Sequence, residues 1–262
     1  MTRKSLPFRA DPPLIAALHF PDPVVEPGRS LAWLEEYALA NARIFAEAGF
    51  SALMLQDQTR EPGDATPETV ARMAALGRVV KRAFPALALG IIVQAHDAVA
   101  PLAIAKACGA DFVRLKVFVG AAMTAEGVRQ ALSARARAYR ASIGAADVAM
   151  FADVFDRTSL PMVDMPPERA AQWAQSMGAD ALVLTGATFA ESLDRIDKAR
   201  AAGVSRPLVL GGSVTEGNVA DALAAADGVI VSTALMRKGV DRDDPVRWDA
   251  ELTKRFVAAA RG

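Results

Sequence analysis

Eight short apolar runs, each leading into a helical segment, predict an α/β chain folded as a single (β/α)8 TIM-type barrel. Two further observations agree. Five helix-to-strand joins repeat one pattern, and 262 residues match one such barrel, typically about 250 residues long. A doubly wound sheet is the alternative, because helical periodicity alone does not choose between the two.

The first strand, residues 14–18, delivers His19 to its carboxyl end. Ahead of it, residues 1–12 are expected to be an N-terminal extension of one domain spanning 1–262. They are basic but have no apolar core or small-residue cleavage site, so they are not read as a signal peptide. Pro21, Pro23, Pro27 and Gly28 make a stiff loop, and Ser30 caps a helix with Leu31, Leu34, Ala38 and Phe45 on one face. The second strand, 51–55, ends in Gln56 and Asp57. Thr66-Pro67-Glu68 opens the next helix with a cap and an N1 proline, and Thr124, Pro167 and Thr215 open others. The remaining strands are 87–93, 112–119, 148–153, 181–184, 208–210 and 229–231. Their near-continuous apolar character suits parallel strands covered on both faces. At Gly49, Gly109, Gly178, Gly203 and Gly228 a helix end meets a glycine for a left-handed residue and then an apolar run.

Composition excludes several classes. Apolar residues make up 52% of the chain, ample for a large core. Thirty basic residues balance thirty acidic ones, so no net field draws nucleic acid. The longest apolar run is strand-length, far short of the roughly 20 residues that span a bilayer. A lone Cys108 excludes an internal disulfide. The expected location is the cytoplasm.

In either fold, chemistry belongs at the carboxyl ends of the strands. His19, Gln56, Asp57, Gln94, His96, Asp97, Arg114, Lys116, Asp153, Arg157, Thr185 and Thr188 lie there. So do Gly211, Gly212 and Ser213 after the seventh strand, and Ser232 and Thr233 after the eighth. Small residues between a strand and a turn turn backbone N–H groups toward an anion, and the last two βα units are where such barrels hold phosphate. The same residues also serve as ordinary helix caps. Arg114 and Lys116 alternate onto one side of their strand and need a buried partner, for which Asp153 is the natural choice. A desolvated lysine there forms Schiff bases or acts as a base, or else belongs to a structural ion pair. Asp97 either caps the helix after it or meets substrate; His19, His96 and Asp57 have similar structural alternatives. No cofactor is expected, although Asp57, Asp97 and Asp153 together are the type of set that holds Mg²⁺. The loop 155–166 has no regular period and is expected to be a substrate lid or, through Leu160, Met162, Val163 and Met165, a homo-oligomer contact.

The blocks Thr66-Pro-Glu-Thr-Val70, Gly109-Ala-Asp-Phe-Val-Arg-Leu115 and Gly120-Ala-Ala-Met-Thr-Ala-Glu-Gly127 follow one another in a specific order. With Ala152-Asp-Val154, Thr185-Gly-Ala-Thr188, Gly212-Ser-Val-Thr-Glu-Gly-Asn218 and Ser232-Thr-Ala-Leu-Met-Arg-Lys-Gly239, the chain resembles the BtpA/SgcQ family from about residue 14 to residue 259. The resemblance implies a barrel of the ribulose-phosphate-binding class, with phosphate on Gly212, Ser213, Ser232 and Thr233. The family's naming member is linked to photosystem I biogenesis in cyanobacteria. Asp97, Arg114 and Asp153 keep the family pattern, whereas Gln56-Asp57, His96, Lys116 and Phe155-Asp-Arg-Thr158 depart from it. The residues and the resemblance together suggest an enzyme on a small phosphorylated, sugar-like metabolite, of lyase (aldolase-like) or isomerase type. In that reading Gly211, Gly212, Ser213, Ser232 and Thr233 hold the phosphate. Lys116 or Asp153 moves the proton, Asp97 and Asp57 orient hydroxyls, and His19, Gln56, His96, Arg114, Arg157 and Thr185 contact substrate. The alternatives are a non-catalytic assembly or phospho-ligand-binding protein and a metal-dependent hydrolase.

Overall fold

The computed structural model describes Leu6, Phe8 and residues 13–262 other than Pro62. Most of the residues assigned to an N-terminal extension lie outside the described ones. The elements run β1 (Leu14–His19), α1 (Leu31–Ala48), β2 (Ala52–Gln56), α2 (Pro67–Ala83), β3 (Ala88–Ile92), α3 (Ala100–Cys108) and β4 (Phe112–Leu115). A hairpin, β5 (Ala121–Thr124) and β6 (Gly127–Gln130), precedes α4 (Ser133–Ser142), β7 (Ala149–Asp153) and the two-residue β8 (Leu160–Pro161). Then come α5 (Pro167–Ser176), β9 (Ala181–Leu184), α6 (Phe189–Ala201), β10 (Leu208–Gly211), α7 (Val219–Ala225), β11 (Gly228–Val231) and α8 (Ala250–Arg261).

Eight parallel strands close into a barrel in the order β1-β11-β10-β9-β7-β4-β3-β2. The predicted (β/α)8 barrel is the observed fold. Parallel strands alternate their side chains between the barrel interior and the helix layer. Ile15, Ala17, Met54, Ile92, Phe112, Phe151, Val183, Val209 and Ile230 fill the interior, while Leu53, Leu55, Val113, Leu115, Leu182 and Leu210 pack outward under the helices. Ser30, Thr66 and Thr188 accept the first free amides of α1, α2 and α6. Those caps stabilise each helix by about 1 kcal/mol.

The predicted joins hold at Gly49, Gly109, Gly178 and Gly203, all with positive φ. Gly228 is different. A Cβ there would lie 3.2 Å from Leu6 and 3.3 Å from the Pro13 carbonyl, so close approach, not a left-handed turn, requires the glycine. Leu6 and Phe8 pack against the interior cluster, with the Phe8 ring 5.8 Å from that of Phe112. Since Phe112 and Gly228 begin their strands, this contact plugs the amino-terminal end of the barrel.

Two expectations fail between residues 112 and 133. The fourth strand stops at Leu115 rather than 119, because Val117 adopts φ 46° and turns the chain out of the barrel. Thr124 opens no helix; it ends β5, and its hydroxyl donates to the Gly127 carbonyl to close the hairpin. β5 also pairs with β8, giving a three-stranded sheet, β6-β5-β8, beside the mouth. The loop 155–166 therefore contributes a strand where no period was legible. Thr215 likewise opens a turn, and α7 starts only at Val219.

The interior is closed below the mouth by a stack of Phe112 on Phe151, with ring centroids 4.5 Å apart. Phe112 lies so flat across β3 that a Cβ on Gly90 would sit 2.3 Å from its ring. Gly90→Ala is expected to lower stability by roughly 1–3 kcal/mol through overpacking. That corresponds to a melting temperature about 3–10 °C lower by circular dichroism. Phe112→Leu in the same chain should recover part of the loss, as the two residues share one contact.

Candidate functional site

At the carboxyl end of the strands the polar side chains surround one cavity of about 590 Å³. His19, Gln56, Arg114, Lys116, Arg157, Thr185, Gly211, Gly212, Ser213, Ser232 and Thr233 all line it. The alternation that points Phe112 and Phe151 into the interior carries Arg114 and Asp153 one layer higher, to the cavity floor. Arg114 donates through Nε at 3.1 and 3.2 Å and through one terminal nitrogen at 2.8 Å to the two oxygens of Asp153. Asp153 is 3% exposed and does not line the cavity. Burial pushes its carboxyl above the usual range, against the opposing pull of Arg114. Burial also opposes the Arg114 charge, but the Asp153 carboxylate overrides it and raises the guanidinium further. Beside this pair, burial and then the Arg114 charge lower His19 to about 4, so its ring is neutral at pH 7.

Lys116 lies across the mouth, but its partner is not the predicted Asp153. Its Nζ is 2.9 Å from Asp156 and donates to the Gln94 Oε1 at 2.9 Å. Arg114 already occupies both oxygens of Asp153 with a planar fork that a single ammonium does not match. Asp156 is mostly buried, which alone would raise its carboxyl; Lys116 and the Thr158 hydroxyl outweigh that and bring it to about 2.

Gly212 has φ 125° and Ser213 φ 59°. The first is open to glycine alone in practice, and the second is uncommon for a residue with a side chain. The Asn218 side chain holds this turn in place: it accepts from the Thr215 amide and donates to the Ser213 carbonyl. One wall away, a 3₁₀ turn covers Thr233–Leu235. Its leading amides, at Thr233 and Ala234, precede any intrahelical acceptor. Among the described residues no side chain accepts from the amides of Gly212, Ser213, Thr233 or Ala234. Two hydroxyls at this wall are committed elsewhere: Thr185 donates to the Gly211 carbonyl, and Ser232 donates to that of Ala17 at 2.6 Å. Arg157 lies above Gly212, its guanidinium carbon 3.4 Å from where a Cβ would stand. Among the described residues Arg157 has no carboxylate or carbonyl partner.

Besides Asp153, four of the residues picked out in the sequence lie off the cavity: Asp97, Asp57, His96 and Thr188, the last of which caps α6. Asp97 accepts from the amides of Val99, Ala100 and Ala65, so it fixes the start of α3 and a neighbouring loop. Asp57 is held by the Thr59 amide and hydroxyl and by Arg72, and burial raises its carboxyl. The His96 ring bonds the Gln130 carbonyl at 2.8 Å. Among the described residues no three His, Cys, Asp or Glu side chains come together to hold a metal ion, so Asp57, Asp97 and Asp153 do not form the shared site considered for Mg²⁺. The structure adds Asp156, Arg60, Glu126 and Arg129 to the lining. Asp156 was within reach of the sequence, three residues past a strand-end aspartate. The other three come from a loop and a hairpin with no strand-end position to mark them.

Among the described residues no helix is long and apolar enough to cross a membrane. By fold, the chain is similar to a structure described as native KDPGal (TM-score 0.60, 18% identity, 97% of each chain). It is also similar to a chain of the tryptophan synthase α2β2 complex of Pyrococcus furiosus (TM-score 0.61, 16% identity, 97% of this chain and 98% of that one). By sequence, it is 33% identical over 229 residues to an uncharacterized protein of Archaeoglobus fulgidus, covering 86% of this chain and 88% of the relative. It is 29% identical over 252 residues to the photosystem I biogenesis protein BtpA of Synechocystis, covering 93% and 88%. The BtpA family model matches residues 11–262, and the chain belongs to the BtpA family.

Proposed function

We propose that this chain is an enzyme acting on a small phosphorylated, sugar-like metabolite, with lyase (aldolase-like) or isomerase chemistry. One observation carries the reading. Two turns whose amides are free among the described residues, Gly212–Ser213 and Thr233–Ala234, share a cavity wall with Arg157, which has no carboxylate or carbonyl partner among them. Converging amides and a guanidinium suit the three oxygens of a phosphate ester. The hydroxyls of Thr185 and Ser232 do not take part as donors, since main-chain carbonyls already hold them.

With the phosphate on that wall, the rest of the ligand crosses the mouth toward Lys116. The Lys116 ammonium then stabilises charge developing on a carbonyl oxygen, as an enolate or aldol-type alkoxide requires. Asp156, ionised through the neutral range, orients Lys116 as its ion-pair partner. Arg114 polarises the cavity floor, and neutral His19 bonds ligand hydroxyls without adding charge. Asp153 acts through Arg114 as a positioning residue.

A second reading, an assembly or phospho-ligand-sensing protein, draws on the Synechocystis relative and on apolar side chains exposed around the small sheet. Met123, Val128, Leu160, Met162 and Val163 are all at least 46% exposed. That reading expects ligand binding without turnover.

Three measurements test the site. Arg157→Ala should weaken binding of sugar phosphates, read by calorimetry, about tenfold or more, while leaving the melting temperature of the free protein within 2 °C. Lys116→Gln should abolish solvent-deuterium incorporation into ketose phosphates, read by NMR, at least 100-fold; equal exchange in both proteins removes the acid-base role. The pairing itself shows in acid. Asp156 has a lower carboxyl pKa folded than unfolded, so its contribution is full above pH 4 and is lost as pH falls toward 2. Asp156→Asn should reduce stability at pH 6 by about 2 kcal/mol more than at pH 2, read by urea denaturation.

A further inference from the structure

Among the described residues the charges around the cavity do not cancel, and the excess sits in two places. Asp153 neutralises Arg114 and Asp156 neutralises Lys116. Glu126, however, is shared by two guanidiniums, with Arg129 at 3.3 Å and Arg60 at 3.4 Å. One positive charge is therefore left over at that cluster, and another on Arg157. Arg129 lines the cavity yet is only 7% exposed, and its Nε is buried with no hydrogen-bond partner among the described residues. Its terminal nitrogens are taken by the Gln94 carbonyl and Glu126. A buried donor without an acceptor costs about 1–3 kcal/mol, a cost carried here by a guanidinium that Gln94 and Glu126 hold at the cavity edge.

The topology places the two excess charges apart. In the barrel order, β3 stands four places from β10 and β4 four places from β11. Gln94 follows β3, Lys116 follows β4, and Arg129 sits on the hairpin that β4 leads into. The Arg129 cluster is thus across the mouth from the Gly212 and Thr233 turns.

We propose that the ligand carries a second anionic group, a carboxylate, held by Arg129 and Arg60 on the opposite side of the mouth from its phosphate. The substrate class is then a phosphorylated sugar acid or oxo acid with its two charges at opposite ends. A carboxylate, rather than a second phosphate, matches a single excess charge. The inference rests on the phosphate reading of the β10 and β11 turns.

The experiment compares matched pairs by calorimetry: 6-phosphogluconate against glucitol 6-phosphate, and 4-phosphoerythronate against erythritol 4-phosphate. Within each pair only the far end changes, from carboxylate to hydroxymethyl. In at least one pair the acid should bind tenfold or more tighter than the alcohol. Arg129→Gln should bring that ratio close to one. Arg60→Gln, at a side chain 60% exposed and so of little consequence for folding, should reduce the ratio at least threefold. Arg157→Gln should weaken acid and alcohol alike and keep the ratio. If the alcohols bind through Arg157 but neither acid is preferred, the carboxylate site is overturned and the phosphate reading stands. If neither alcohol nor acid binds, both fall. Tighter binding of glucitol 1,6-bisphosphate than of 6-phosphogluconate, lost in Arg129→Gln, overturns the choice of carboxylate.

Discussion

A guanidinium at the cavity floor and the carboxylate that neutralises it set what everything above them can do. Arg114 is on β4 and Asp153 on its neighbour β7, so the pair ties adjacent strands at the level where the apolar interior gives way to the mouth. Removing either partner alone would leave a buried charge, at a cost of about 3–5 kcal/mol. The bidentate fork explains why the pair is an arginine and why Lys116, one turn of the pleat higher, needs a different carboxylate. It also sets the local field. A neutral imidazole at His19 follows from burial beside a cation that does not move.

Above that floor, the mouth divides into a wall that offers amides and a wall that offers side-chain charge. The division follows from how the chain leaves each strand. After β10 and β11 it turns at once through small residues, which keeps main-chain N–H groups at the surface of the cavity. After β4, the left-handed Val117 throws the chain outward into a hairpin, which returns Glu126 and Arg129 to the rim. The loop 155–161 completes the enclosure: Asp156 reaches Lys116, Arg157 covers Gly212, and Leu160 pairs with β5.

The barrel was legible because its signals are local. Apolar runs of strand length, glycines at helix ends and caps such as Ser30 and Thr66 act within a few residues of themselves. Strand ends also named most of the cavity wall, since alternation fixes which residues face inward. What the sequence hid depends on contacts between distant segments. The β5–β6 hairpin reads as a helix start at Thr124, because threonine is a common N-cap; pairing of β5 with β6 and β8 decides otherwise. Asp97 and Asp57 stand at strand ends, yet main-chain amides nearby claim their oxygens first. Asp153 is the natural partner of both Arg114 and Lys116 on strand position alone, and only side-chain geometry shows that one carboxylate serves one of them.

Orientation is what two separated anchors add to one. A phosphate held on turn amides fixes a point, and a ligand tethered at a point still rotates about it. In the proposed reading, a second charge contact on the far rim would remove that freedom and hold the carbon chain across the cavity, over Arg114 and within reach of Lys116. Since a well-oriented reacting group gains several kcal/mol over a free one, the rotation removed bears on rate as well as affinity. The shared Glu126 belongs to the same logic. With it absent, two bare guanidiniums would hold almost any anion on the rim; with it present, their net charge is one, which is the charge the proposed monoanionic end of the ligand would meet.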